Sequence, residues 1–438
     1  MNNDKVKHLV VSTPQGDAGG LFKEARFSFN YTTAEREREV SLLMPIRAQS
    51  YAATALPSVF AMNRPEGFLL DKIRERLGKF VKLDDMRLLA LTGQNQIGRL
   101  RYREPDAMDE PLTAQVGLGT LLKSGASDEL FEFLVDVYLR SGISGFQPKI
   151  MLPDADALDE EDKQIVSVKS TATTPDLIVK AAGEDYPHLS ENEFLCMEAA
   201  RIAGIRVPEF WLSDDGSLFV MRRFDLEGPQ RRQLGFEDMA ALTGRTANDK
   251  YESSYTRIAQ VVAAHCRENR IESLSRLFEY VAISVMVRNG DAHLKNFGLL
   301  YEHPRAGAPS LAPLYDVVTT SVYPTLDPQS GRVLTDRTPA LKLDTEWPKR
   351  YPDRKALLDF GRNVCLVSRP EKTLERIASG MRESLLLHRD RIDTGLYKQQ
   401  AAEWDAGMMS VEPARVFVPK NAPVEDPSGT PGTGPEPT

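Results

Sequence analysis

Over its first hundred residues the chain interleaves short alternating apolar runs with helical spacing. HLVVST (His8 to Thr13) and RFSFNY (Arg26 to Tyr31) alternate, the second aligning Phe27, Phe29 and Tyr31, and both predict strands. LDKIRERLGKF (Leu70 to Phe80) spaces Leu70, Ile73 and Leu77 as a helix does, and IGRLRYR (Ile97 to Arg103) returns to strand. A compact α+β unit is expected here, with nothing in it that looks catalytic. SDELFEFLVDVYLR (Ser127 to Arg140) predicts an amphipathic helix with Ser127 as N-cap and Glu129 in its first turn. IVSVKST (Ile165 to Thr171) and DLIVKAA (Asp176 to Ala182) predict strands. Ser190 and Glu193 are spaced as a capping box, so a helix should start near Glu191, with Gly204 and Pro208 marking its end. FWLSDDGSLFVMRRFD predicts a hairpin turning at Asp214-Asp215-Gly216. From Phe236 to about Asn289 the spacing is mainly helical, most clearly in YTRIAQVVAAHC and SRLFEYVAISVMV. Further helices are expected in KALLDFGRNVCLV and LERIASGMRESLLLHRDRI. Past Val418 the chain turns to Pro, Gly and Thr without apolar anchors, which predicts a disordered tail.

A sheet-rich half followed by a helical half is the layout of a bilobal phosphotransferase, in which one lobe covers a nucleotide and the other holds metal and base. Composition narrows the alternatives. Of 438 residues, 41% are hydrophobic, enough for a sizeable core. The net charge of −8 argues against autonomous nucleic-acid binding. No apolar run is long enough to span a membrane. Three cysteines, Cys196, Cys266 and Cys365, lie far apart and read as reduced, buried thiols of a cytoplasmic protein.

The chemistry concentrates in NGDAHLKNFGLL and LAPLYDVVTT. Phosphoryl transfer to a hydroxyl needs a carboxylate to orient the nucleophile and take its proton, oxygen ligands for Mg²⁺, and a cation near the migrating group. Asp291, Lys295 and Asn296 can supply all three from one loop, and Asp316, twenty residues beyond Asn296, adds a second carboxylate for the metal. The alternative for Asp291 and Asn296 is a solvated turn, and for Asp316 a capping role. His293 has no second His or Cys at ligand spacing, so a structural role is expected rather than zinc. Lys180 follows Leu177-Ile-Val179, and a lysine on a buried strand calls for an anion, either a phosphate or an acid on the next helix, Glu193 or Glu198. SGISGFQPK (Ser141 to Lys149) offers Gly142 and Gly145 for a close backbone approach to phosphate. Met221 and Phe224 offer apolar walls for a base at a hinge. Arg222, Arg223, Arg231 and Arg232 are expected on a solvated face.

SGFQPK, LIVK, NEFLCMEAARIAGIRVP, MRRFD, KYESSYTRIAQVV, NGDAHLKNFGLL and LAPLYDVVTT, in this order, resemble the HipA family of serine/threonine protein kinases, toxins of HipA–HipB toxin–antitoxin pairs. The first ~105 residues resemble the family's small N-terminal subdomain. The resemblance implies an α+β, bilobal, protein-kinase-like fold: an N-terminal subdomain over 1–108, a nucleotide-covering lobe over 109–225, a helical lobe over 226–417 and the tail over 418–438. It implies ATP and Mg²⁺, with Asp291 as catalytic base, Asn296 and Asp316 as metal ligands, and Lys180 on the phosphates. Ser144, Gly145, Phe146, Gln147, Pro148 and Lys149 become the phosphate loop, and Arg222, Arg223 and Phe224 the adenine hinge. His293 to Asn296 and Tyr315 to Val318 fall along the nucleotide pocket. Family members can phosphorylate a loop serine. Gly142 stands at the position of that serine in the best-known type, so Ser144 is the first candidate here and Ser141 the second. Arg222 replaces an acidic hinge residue of that type.

The expected function is therefore an ATP- and Mg²⁺-dependent serine/threonine protein kinase acting as a growth-inhibiting toxin. Its substrate would be a translation-related protein such as an aminoacyl-tRNA synthetase. Its partner would be a small helix-turn-helix antitoxin that makes most of any DNA contact. The alternatives are a small-molecule kinase on the same scaffold and a degenerate kinase acting as a co-repressor.

Overall fold

A computed structural model describes residues 5–65, 82–93, 96–107, 118–124, 149–152, 176–182, 186–306, 308–326 and 332–412, with positions 70, 73, 74 and 77. The expected helix at 127–140, the strand at 165–171, the loop serines and the tail lie outside these residues.

The N-terminal unit is an antiparallel sheet of β1 (His8–Thr13), β2 (Gly16–Lys23), β3 (Phe27–Tyr31), β4 (Tyr51–Ala53) and, across the chain at Arg101–Arg103, β5; the order is β4-β3-β2-β1-β5. β2 was not legible because GDAGGLFK carries two central glycines. Gly19 is required there, since a Cβ would lie 2.1 Å from the Asn30 carbonyl oxygen of the neighbouring strand. Leu9, Val11, Leu21, Phe29 and Tyr102 fill one face of the sheet together with Phe60 of helix α1 (Ser58–Ala61) and Leu89 of α2 (Asp85–Thr92). Described positions 70, 73, 74 and 77 are helical, as the spacing of Leu70, Ile73 and Leu77 predicts.

After helix α3 (Leu118–Ser124) comes a second antiparallel sheet, of order β6-β7-β9-β8: β6 (Lys149–Leu152), β7 (Leu177–Ala181), β8 (Phe210–Leu212) and β9 (Leu218–Arg222). β8 and β9 form the expected hairpin, whose turn uses Gly216 at φ +75°. Helix α4 (Leu189–Ile202) packs behind this sheet. The capping box is a misreading. His188 caps α4 in a left-handed conformation without a side-chain bond, Ser190 donates to the Ser217 carbonyl, and Glu193 is taken by Lys180.

The ribbon β10 (Leu226–Glu227) and β11 (Arg232–Gln233) leads into the second half. Its first residues are not helical as expected. Gly235–Asp238 is strand β12, paired with β13 (Gly298–Tyr301), which pairs with β14 (Ser310–Leu311). Helices α5 (Met239–Leu242), α6 (Tyr255–His265) and α7 (Arg270–Met286) follow β12, and the hairpin β15 (Pro324–Leu326) with β16 (Val333–Thr335) follows β14. Then come α8 (Arg354–Asp359), α9 (Pro370–Leu387) and α10 (Thr394–Val411). Ser254 caps α6 by accepting the Arg257 N–H at 3.2 Å. One hydrophobic core runs without interruption from β7 and α4 into α7, α9 and α10, with Trp404 fully buried. Gly380 lets α9 close on α4, where a Cβ would lie 2.6 Å from the Ala199 carbonyl. All three cysteines are free and buried. No described helix is long and apolar enough to cross a membrane.

Candidate active site

Lys180, on the buried strand β7, puts its ammonium between two carboxylates. It forms an ion pair with Glu193 of α4 and lies 2.6 Å from Asp316 Oδ1. Burial works to lower the lysine pKa, but Asp316 and Glu193 outweigh it and hold the group above its ordinary value, charged. The sequence left Glu193 and Glu198 both open. The structure decides for Glu193, while Glu198 pairs with Arg201 and His388.

Asp316 sits in the left-handed region at φ +61°, where a residue with a Cβ is strained. That turn brings it to the loop carrying Asp291. The Asn296 side-chain NH₂ donates to the Asp291 carbonyl at 2.9 Å and to the Asp316 carbonyl at 3.4 Å. Both partners are pure acceptors, so the amide nitrogen must face them and the amide oxygen points the other way. One side chain thus ties the two acidic stretches together. The Asp291 carboxylate is partly exposed and accepts the Tyr251 hydroxyl at 2.7 Å. His293 Nε2 is 3.8 Å away; burial pushes this imidazole down to about 4, so it is neutral, and it packs edge-on against Tyr251. Lys295 Nζ lies 3.7 Å from Asp238.

These groups open into one cleft of about 350 Å³. Lys180, Asp291, His293, Lys295, Asn296, Tyr315 and Asp316 all line it, with Ile178, Met221 and Phe224 on its apolar side. Tyr315 stacks on Phe224, ring centroids 4.9 Å apart, and donates to the Lys295 carbonyl at 2.7 Å. An aspartate and an asparagine on one loop and a separate aspartate, facing a lysine salt-bridged to a helix glutamate, make up a constellation like that of a protein-kinase active site. Residues 141–386 match the profile of the HipA-like C-terminal domain, and residues 9–103 that of the HipA N-terminal domain.

The chain belongs to the HipA kinase family.

Its similarities to individual members are distant. A candidate kinase of Haemophilus influenzae is 30% identical over 244 residues, covering 51% of this chain and 67% of its own. The serine/threonine-protein kinase toxin HipA of Shewanella oneidensis is 23% identical over 342 residues, 71% of this chain and 74% of its own. A solved Shewanella oneidensis complex of HipA, HipB and operator DNA matches with a TM-score of 0.66 at 19% identity, covering 92% of this chain and 98% of that one, and this likeness establishes the fold.

The geometry bears on the expected hinge and on the expected basic face. The Arg222 and Arg223 side chains do not reach the cleft. Arg222 pairs with Glu209 at 2.6 Å, and Arg223 is fully buried against Asp225 at 2.5 Å. Their backbone N–H groups are also engaged, with the Glu209 and Asp176 carbonyls, so of the three hinge residues Phe224 is the one lining the cleft. Arg223 is likewise not on a solvated face, unlike Arg232, which pairs with Glu227 and Glu302. Of the phosphate loop, Lys149 is described through its backbone, paired in register with Lys180; Ser144 to Pro148 and Ser141 lie outside the described residues. Sequence reasoning missed Tyr251 and Asp238, whose partners are distant in the chain. It also missed Met62, Asn63, Gln96 and Ile97, through which the N-terminal unit lines the cleft.

Proposed function

We propose that this chain is an ATP- and Mg²⁺-dependent serine/threonine protein kinase of HipA type, acting in the cytoplasm as a growth-inhibiting toxin. The observation that carries the reading is the completed polar constellation: Lys180 engaged by Glu193 and Asp316, and Asn296 bridging Asp316 to the Asp291 loop. A buried lysine between two acids and a strained aspartate are costly to hold, and a phosphotransfer site uses every one of them. In this reading Asp291 orients the acceptor hydroxyl and takes its proton, with Tyr251 fixing the carboxylate. Lys180 holds the phosphates, and Lys295 offsets charge developing on the transferred group.

The donor set fits Mg²⁺. The carboxylate of Asp316 and the amide oxygen of Asn296, both residues lining the cleft, would offer hard oxygen ligands of the kind this ion combines with phosphate oxygens. Bound there, the ion would neutralise phosphate charge. Ile178, Met221 and Phe224 would wall the base. Ser144, and second Ser141, are the proposed self-phosphorylation sites. A small helix-turn-helix antitoxin is the proposed partner, making most of any DNA contact, in keeping with the net charge of −8 and with the HipB and DNA present in the Shewanella complex. The proposed substrate is a translation-related protein such as an aminoacyl-tRNA synthetase.

The test is incubation with labelled ATP and cell extract, followed by phosphopeptide mass spectrometry. The wild type should label a discrete protein, and Asp291→Asn should abolish transfer with little loss of stability. A labelled metabolite would favour a small-molecule kinase instead. Turnover by Asp291→Asn at the parent rate would show that Asp291 is not the base.

A further inference from the structure

We infer that Lys250 and Lys349 select an acidic residue beside the acceptor serine or threonine of the protein substrate; the inference rests on the kinase reading above and concerns what that site accepts. Both lysines gather on one ring. Lys250 Nζ lies 5.1 Å and Lys349 Nζ 5.9 Å from the ring centroid of Tyr251, a residue 40% exposed whose hydroxyl donates to the Asp291 carboxylate. Backbone contacts bring them there from remote segments. The Leu294 N–H, on the Asp291 loop, donates to the Lys250 carbonyl at 3.1 Å. The Tyr255 and Thr256 N–H groups donate to the Lys342 and Leu343 carbonyls at 3.0 Å, which pins the stretch leading to Lys349 beside α6.

Neither ammonium forms an ion pair or hydrogen bond with a described residue. The acids of the same stretches are turned elsewhere. Glu252 pairs with Arg245, Asp336 accepts from Thr338, and Asp344 accepts the Glu346 and Trp347 N–H groups, while the exposed Glu346 pairs with neither lysine. Two like charges held at one ring repel each other, and a carboxylate between them would offset that repulsion. Their place decides which anion comes. In the proposed reaction the acceptor hydroxyl meets Asp291, and the phosphates lie on the side of Lys180 and Asp316. Lys250 lines the cleft, whereas Lys349 is exposed and outside its lining. The pair thus runs outward from the base, along the path of the residues flanking the hydroxyl rather than over the phosphates. The net charge of −8 repels an acidic protein as a whole, so the selection is local. Each partly exposed pair is worth about twofold to fivefold.

The experiment gives the full chain Mg²⁺, ATP and alanine-rich serine peptides in which one position within about three residues of the serine is Glu, Ala or Lys in turn. At the position that meets the lysines, the wild type should show a kcat/KM for the Glu peptide about tenfold above that for the Lys peptide, chiefly through the KM for peptide. Lys349→Glu, a change at an exposed side chain, should reverse that order and leave the Ala peptide within about twofold. Lys250→Met should narrow the preference with the KM for ATP unchanged. A lysine serving the phosphates would instead raise the KM for ATP on every peptide alike. Where peptides are not labelled but a protein of the extract is, the same three residues are placed beside its labelled serine. A wild type indifferent to Glu and Lys overturns the inference, as does a preference that survives both substitutions. Competition by an oligonucleotide through these lysines, without a preference for Glu, would assign them to nucleic acid and overturn it too. If nothing is phosphorylated under any of these conditions, the kinase reading itself fails.

Discussion

Removing the Lys180 ammonium should destabilise the fold in a way that a second substitution repairs, while activity stays lost. Lys180→Met is close in length and apolar, and leaves Glu193, which is fully buried, and Asp316, which is 24% exposed, without their cation. Breaking a buried pair by removing one partner costs about 3–5 kcal/mol, because a charge is left without compensation. Most of that cost should fall at Glu193, since Asp316 retains water. Lys180→Met with Glu193→Gln removes the stranded charge as well, so the double variant should recover most of the loss, to within about 1–2 kcal/mol of wild type. Urea unfolding, followed by the fluorescence of the three tryptophans, of which Trp404 is fully buried, measures all three proteins. Phosphate transfer should be absent in both variants. The reasoning is refuted if Lys180→Met costs less than about 1 kcal/mol, or if the double variant is no more stable than the single one.

Two further outcomes are expected. Tyr251→Phe deletes the hydroxyl held by Asp291, so if Asp291 is the base as proposed, kcat should fall by up to about tenfold with the KM for ATP unchanged. Glu237 accepts from the Tyr301 hydroxyl, the Leu42 N–H and Ser41 Oγ, yet burial outweighs these bonds and raises its pKa. The folded state thus holds the proton more tightly than the unfolded chain. Its stabilising contribution is complete below the ordinary carboxylate range and is lost as pH rises through the raised value. The stability margin of wild type over Glu237→Gln should shrink with rising pH across that window in urea titrations, and a constant margin would contradict the burial argument.

Much of this was legible because it is local. Leu177-Ile-Val179 with Lys180, the Asp291–Asn296 spacing and Asp316 after Tyr315 each carry their signal within a few residues, and they do meet in one cleft. The failures share a different cause. Glu193 sits three residues after Ser190 and satisfies a local capping rule, but an ammonium on a strand thirteen residues back competes for it and wins, because a buried charge is worth more than a cap. Gly235–Asp238 has little strand propensity of its own; its pairing with Gly298–Tyr301, sixty residues on, makes it a strand. In α10, a buried Gln400 interrupts the apolar stripe, since its amide bonds Asn192 and Thr319 on remote segments. The N-terminal unit carries no chemical motif, and only docking against Arg223 and Asp225 turns Gln96 into a cleft residue.

The enclosure of α4 has a mechanistic consequence. Apart from Arg201 and Ile202 at its end, every residue of this helix is buried. Ser384 of α9 donates to the Leu195 carbonyl, Gln400 of α10 reaches Asn192, and Arg376 grips the Ala203 carbonyl just beyond the helix. Swinging α4 outward, as a means of withdrawing Glu193 from Lys180, would tear open the interior that both halves of the molecule share. Tilting this helix is therefore a costly route to a dormant form.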